Sequence, residues 1–353
     1  MDMTEMINSI TDIDMNAVEA AKAHWLSIAK PLYSLGKLED IVIKLAGIKG
    51  TKDVRIDKKA LVIMCADNGV VEEGVTQSGQ GVTAAVTKNF TCCGTSVCFM
   101  AKRAGCDIFP VDVGVAVDIE GVTEKEFKVA YGTKNFAKEP AMTREQVLKA
   151  IEIGILKVKF LKEAGYDIIA TGEMGIGNTT TSSAVTSVLL SLPVEDMTGR
   201  GAGLTSAGLQ KKIDTIKNAI ALHKPDKNDP IDVLCKVGGL DIAGLAGVFL
   251  GGAIYHVPIV VDGFISGAAA IIASRLNPMV KKYILASHVS KEPAGHLVLK
   301  ELELSPVITA DMCLGEGTGA VALFPLIEMV LDVYNGMTVF DEWNGEEKYE
   351  VLK

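Results

Sequence analysis

The sequence predicts an α/β fold, a Rossmann-like and mostly parallel sheet with helices on both faces. Two observations predict it. Short apolar runs recur along the chain, each ending in Asp, Ser or Gly and each followed by a helical pattern. Apolar residues make up 48% of the 353 positions and aromatics only 5%, while glycine occurs 35 times. Such a mixture suits buried parallel strands under closely packed helices. A chain of this length can bury a sizeable core. It accommodates one large domain with a small appendage.

The elements follow in order. The residues before Lys30 read as helical. The run 60–64 leads into Cys65-Ala-Asp-Asn-Gly69, and the run 108–111 into Asp112-Val-Gly114. The run 166–170 leads into the loop Thr171-Gly-Glu-Met-Gly-Ile-Gly-Asn178, and residues 182–190 then read as a helix. Segment 224–229 is a polar, proline-bearing connection. Segment 242–261 carries no charge and is long enough to span a membrane. Gly251, Gly252 and Pro258 interrupt it, so it reads as a small-residue helix, a turn and a buried strand. The run 257–261 ends at Asp262-Gly-Phe264, and the run 283–286 at Ser287-His288. Residues 319–335 read as a last helix. The pattern suggests that the two helical ends, 1–30 and 319–353, pack together as a small domain beside a large α/β domain, 31–318.

Charge and cysteine usage narrow the function classes. A net charge of −9 argues against a general basic stripe for nucleic acid. Phosphate remains an accessible ligand, because helix N-termini supply local positive potential. Seven cysteines, an odd number, fit a reduced cytoplasmic protein better than a disulfide scaffold. Cys92, Cys93 and Cys98 have no paired CxxC spacing and no nearby His, and they read as buried small side chains. The acidic N-terminus has no apolar core and does not look like a signal peptide.

In sheets of this class ligands bind beyond the carboxyl ends of the strands, so the loops carry the chemistry. In TGEMGIGNTTT (171–181) glycines let backbone approach a ligand, and the following helix offers unpaired N–H groups for a phosphate. A capped strand-to-helix turn is the bland reading. LGEGTG (314–319) holds Glu316 between two glycines, as a general base or as an acid stabilised by a helix dipole. GRGAG (199–203) precedes Lys211 and Lys212, and Lys212 is either a phosphate ligand or a solvated helix lysine. SHVS (287–290) and EPAGH (292–296) form a hydroxyl-lined loop in which His288 reads as structural. The polar loop 67–83 is suited to closing on a flat aromatic ligand. The P-loop Lys is missing, so the loop is not a Walker motif, and the dinucleotide glycine spacing is missing, which disfavours an NAD-type dehydrogenase. No Ser-His-Asp or Cys-His set can be assembled.

In order, ADNGVVEEGV, TGEMGIGNTT, GRGAGL, VGGLDIAG, VDGFISGAAA, SHVSKEPAGH and LGEGTGA span residues 66–320. Together they resemble the nicotinate-nucleotide:dimethylbenzimidazole phosphoribosyltransferase family. The resemblance implies a Rossmann-like large domain, a small helical domain from both termini and a dimer with its site near the interface. It implies transfer of 5-phosphoribosyl from nicotinate mononucleotide to an aromatic base for cobamide lower-ligand synthesis, with inversion at C1 and with neither cofactor nor metal. Glu316 matches the family's catalytic carboxylate and Glu173 a carboxylate near the ribose. Gly175, Ile176, Gly177, Asn178, Thr179, Gly201, Lys212, Ser290 and Gly315 fall in the donor and phosphate region. Gln80, Asn68, Met174 and Leu314 fall on the acceptor side. Three positions depart from the pattern: Asn68 stands where many members carry His, Gly79 where Pro is usual, and Cys313 where many carry Arg. They leave a phenol or p-cresol acceptor open, and likewise a silent partner subunit and a heterodimer in place of a homodimer.

Overall fold

The computed structural model describes residues 3–201 and 203–342. The outer ends of the two expected helical segments, 1–2 and 343–353, lie outside the described residues, as does Ala202 of the third glycine-rich turn.

Five strands form one sheet: β1 (Lys59–Ala66), β2 (Cys106–Gly114), β3 (Ile168–Met174), β4 (Ile259–Val261) and β5 (Ile284–Ala286). Their order is β2-β1-β3-β4-β5, and every neighbouring pair is parallel. The expected α/β class is present, with the strand order of the flavodoxin-like variant of doubly wound sheets. From β1 the chain winds outward to β2, and from β3 it winds the other way. The crevice where the direction switches therefore lies between the carboxyl ends of β1 and β3.

Side-chain alternation assigns the two faces. Ala60, Val62, Met64 and Ala66 point into one apolar cluster with Ile169, Ile259, Val261 and Ile284. Leu61, Ile63 and Cys65 point into a second cluster with Ile168, Ala170, Val260 and Leu285. Helices Arg144–Glu163, Asn178–Leu190, Leu240–Ile254 and Gly263–Leu276 contribute to the first. Helices Met15–Ser27, Lys37–Lys49, Ser96–Ala104 and Thr318–Gly336 contribute to the second.

One strand differs from the sequence reading in a way that matters. β3 runs on through Met174, so Thr171-Gly-Glu-Met is strand and not loop. Polar residues had marked the expected end of the run. Here they stay in the ladder, with Thr171 opposite Val62 and Glu173 opposite Met64. The Thr171 hydroxyl is satisfied by donating to the Val260 carbonyl at 2.8 Å, which removes the cost of burying it.

Segment 242–261 is a helix, a turn and a strand, as its glycines and proline indicate. Helix Leu240–Ile254 is buried along almost its whole length. Among the described residues, helix Thr318–Gly336 is long and apolar enough to cross a membrane by length and composition. In this fold Ala320, Leu323, Phe324 and Ile327 of that helix are buried in the second core. The chain ends meet there. The Trp25 and Tyr334 rings pack edge to face at 4.9 Å, and the His24 ring nitrogen bonds the Tyr334 carbonyl at 2.8 Å. Ile28 also forms a backbone bridge with Val339.

Candidate active site

An open cavity lies over the carboxyl ends of β3, β4 and β5. Its walls come from all five loops singled out in the sequence as carrying chemistry, the 67–83 loop through Val75–Ser78, and from Lys212 on helix Ser206–His223.

Glu316 sits on a constrained turn. Gly315, Glu316 and Gly317 have φ of 86°, 60° and 90°. Glycine adopts this left-handed region freely, whereas a glutamate there costs roughly 1–2 kcal/mol. The surroundings hold the turn in place. The Gly317 amide donates to Asp262 Oδ2 at 3.0 Å, and the Gly319 and Ala320 amides donate to Oδ1 at 2.7 and 3.0 Å. Asp262 thus caps helix Thr318–Gly336 from across the sheet. Burial nevertheless pushes its carboxyl up to about 7. The Glu316 carboxylate accepts from the Val97 amide at 3.4 Å, at the start of helix Ser96–Ala104. Burial raises the Glu316 pKa, and the Val97 amide and Thr95 side chain hold it down. A half-buried carboxylate with a raised pKa suits proton abstraction near neutrality.

Glu173 belongs to a buried acid network. The Asn178 amide nitrogen bridges two carboxylates, donating to Glu173 Oε2 and to Asp241 Oδ2, the latter at 3.0 Å. Burial, and then the charge of Asp241, push the Glu173 carboxyl up to about 8. Burial pushes Asp241 up to about 6 against hydrogen bonds from Asn178 and Ile242. The raised pKa favours the neutral acid at Glu173, and a cationic ligand beside it favours the ionised form.

The cavity wall next to Asn178 suits an anion. Lys212 is 1% exposed. Its Nζ donates to Thr179 Oγ1 at 2.9 Å and to the Gly199 carbonyl at 3.2 Å. Burial pushes its pKa down to about 8. Helix Asn178–Leu190 begins beside it, after Gly177 at φ 94°. A buried cation next to a helix N-terminus is a phosphate-binding arrangement.

Most of the residues singled out in the sequence converge. Glu173, Met174, Gly175, Ile176, Gly177, Asn178 and Thr179 line the cavity. So do Gly201, Lys212, Ser290, Leu314, Gly315 and Glu316. Gln80 and Asn68 do not. Asn68 is buried behind the 175–178 turn, where its side chain bonds the Ile176 carbonyl at 3.4 Å and the Thr181 hydroxyl at 3.2 Å. Gln80 reaches the Asn68 carbonyl at 3.4 Å. Lys212 is a cavity lysine and not a solvated one. His288 also lines the cavity, bonded to Ser287 Oγ at 3.0 Å. Sequence reasoning missed Asp262 as the cap of the Glu316 turn, Asp241 as the partner of Asn178, and the Thr95–Val97 support of Glu316. Asp262 was visible as the end of an apolar run, but nothing in the sequence tied it to residues 317–320.

The cysteine reading needs correction. Cys98 is buried, but Cys92 and Cys93 are exposed. They follow helix Gly81–Thr91 on a surface turn where Cys93 has φ 55°, and a turn on the surface gives a small side chain nothing to pack into. Among the described residues no group of three or more His, Cys, Asp or Glu is placed to hold a metal ion.

A buried lysine beside a helix N-terminus and two carboxylates thus line one cavity, an arrangement compatible with transfer of a phosphorylated group. A phosphoribosyltransferase family model matches residues 10–344, and the chain belongs to that family. It is 49% identical to the nicotinate-nucleotide–dimethylbenzimidazole phosphoribosyltransferase of Clostridium acetobutylicum, with 100% of both chains covered. It is 48% identical to the protein of the same name from Acetivibrio thermocellus, over 96% of each. The crystal structure of CobT from Thermus thermophilus superposes with a TM-score of 0.88 at 34% identity, covering 94% of this chain and 99% of that one.

Proposed function

We propose that the chain transfers the 5-phosphoribosyl group of nicotinate mononucleotide to an aromatic base of the 5,6-dimethylbenzimidazole type. The products are nicotinate and an α-riboside 5′-phosphate for cobamide lower-ligand synthesis. The observation that carries this reading is that Glu316, Glu173 and buried Lys212 line one cavity.

Each group then has a task. Lys212, Thr179 and the amides opening helix Asn178–Leu190 hold the phosphate. The donor's pyridinium is already a good leaving group and needs no acid. Glu173 lies beneath the ribose, and its carboxylate favours positive charge developing at C1. Glu316 takes the proton that the base loses as it bonds to the sugar. Met174 and Leu314 flank the base; Asn68 supports the acceptor loop from behind, and Gln80 lies along it. A two-part organisation fits the packing of the chain ends, with 1–30 and 319–353 as a small helical unit beside 31–318. The same reading makes the protein cytoplasmic and dimeric, with the exposed Phe99 on the helix whose first turn holds Glu316 a natural residue for a partner to cover.

The test is turnover by the purified chain alone, with nicotinate mononucleotide and a panel of dimethylbenzimidazole, benzimidazole, purine, phenol and p-cresol, read by product mass. Dimethylbenzimidazole riboside phosphate is the expected main product, and nicotinate riboside is a very poor donor. No product with any acceptor, or equal use of nucleoside and nucleotide, contradicts the reading.

A further inference from the structure

Glu292 occupies an unexpected position. It lines the same cavity as Lys212, Thr179 and Ser290, in the part assigned above to phosphate. Its Oε2 is buried without a hydrogen-bond partner, and its backbone amide donates to Ser290 Oγ at 3.3 Å. Burial raises its carboxyl pKa, while Lys212 and the Gly201 amide hold it down. It is not tied up in an ion pair. Lys212 Nζ donates to Thr179 Oγ1 and to the Gly199 carbonyl, and it acts on Glu292 through its charge. A carboxylate facing an anion pocket accepts hydrogen bonds only, and it repels a phosphate. The neutral acid carries one O–H donor and no charge.

We propose that Glu292 is the proton partner of the donor's phosphate, taking up one proton from solvent on binding and presenting its neutral O–H to a phosphate oxygen beside Lys212. This rests on the phosphate reading of the site. A phosphomonoester is largely dianionic at neutral pH, its second pKa being about 6. With Glu292 ionised the pocket would gather two like-charged groups around one lysine. Uptake of the proton cancels the carboxylate's charge and supplies the missing donor. Lys212, on helix Ser206–His223, is the charged group that acts on Glu292 directly. Arg200 of the neighbouring turn is committed to the Leu204 carbonyl and to Ser206 Oγ. Lys291 precedes Glu292 in the chain, and His288, Glu173, Asp262 and Glu316 share the cavity.

The test is calorimetry of nicotinate mononucleotide binding at pH 7.0 in buffers of different ionisation enthalpy, with inorganic phosphate as a second probe. Glu292→Gln, an isostere of the neutral acid, takes up about one proton fewer per ligand than wild type, and any proton that Glu173 gives up beside the donor's pyridinium cancels in that difference. Wild-type affinity falls by about tenfold per pH unit relative to Glu292→Gln as pH rises above neutrality. Lys212 titrates in both proteins and cancels from the comparison. Equal proton counts for the two proteins overturn the proposal. Lys212→Met separates the two layers. If it binds both probes like wild type, the phosphate reading itself fails. If it loses both while wild type and Glu292→Gln give equal proton counts, only the role of Glu292 fails.

Discussion

Two glycine-rich regions of this molecule use the same residue for opposite ends. Where helix Arg144–Glu163 crosses helix Leu240–Ile254, glycine serves contact. A Cβ on Gly247 would run into the Ile151 carbonyl, and one on Gly154 into the Gly244 carbonyl. Neither glycine has a positive φ. The surrounding side chains are apolar and fully buried, so the two backbones meet in relaxed geometry. At Gly315-Glu316-Gly317 glycine serves conformation. Three successive residues have positive φ, and the middle one carries the Glu316 carboxylate. Around it lie buried acids whose pKa values are all raised. The helix crossing contributes stability. The turn costs some of it to aim one carboxylate into a cavity, as functional sites commonly do.

The comparison can be broken at the crossing first, where the largest effect is expected. Gly247→Val forces a branched side chain against Ile151 and Gly154. It should destabilise by about 3 kcal/mol or more, or abolish soluble expression. Chemical denaturation measures this, and wild-type stability would mean that the helices separate at little cost.

A substitution at the site should move stability the other way. The Glu173 carboxyl is held near 8 in the folded protein against an ordinary value of 4.5. Between those values the native state binds more protons than the unfolded chain, so its contribution to stability falls as pH rises through that window. Glu173→Gln should therefore stabilise the empty protein by about 1–2 kcal/mol at pH 8.5 and change little at pH 4.5, while slowing transfer. Melting curves at the two pH values decide it. A variant less stable than wild type at pH 8.5 contradicts the raised pKa.

The smallest effect is expected at Thr95. Its hydroxyl helps to hold the Glu316 pKa down, so Thr95→Val should shift the acid limb of the kcat/KM profile to higher pH and lower the rate at pH 6 by about tenfold or less. An unmoved limb would assign Thr95 to packing alone.

The sheet and the cavity walls were legible in the sequence because both rest on local signals. Apolar runs mark strands, and acids or glycines just beyond them mark strand ends. TGEMGIGN and LGEGTG could be read as ligand loops on that basis alone. The limits of the reading are equally physical. Thr171 and Glu173 belong to a strand because Val260 and the β1 ladder satisfy them, and those partners are remote in sequence. Asp262 caps residues more than fifty positions away, and Thr95 and Val97 support a carboxylate from over two hundred positions away. Cys92 and Cys93 were misplaced because composition says that cysteine prefers burial, whereas the turn after helix Gly81–Thr91 places them at the surface.

The central claim is that Glu316, held on its strained turn, is the base that accepts the acceptor's proton. The direct measurement is the initial rate of dimethylbenzimidazole transfer from saturating nicotinate mononucleotide by Glu316→Gln, beside the variant's affinity for the donor. The account predicts a rate lower by on the order of 100-fold or more, with donor binding and melting temperature close to wild type. Near-normal turnover by a folded Glu316→Gln protein would contradict it.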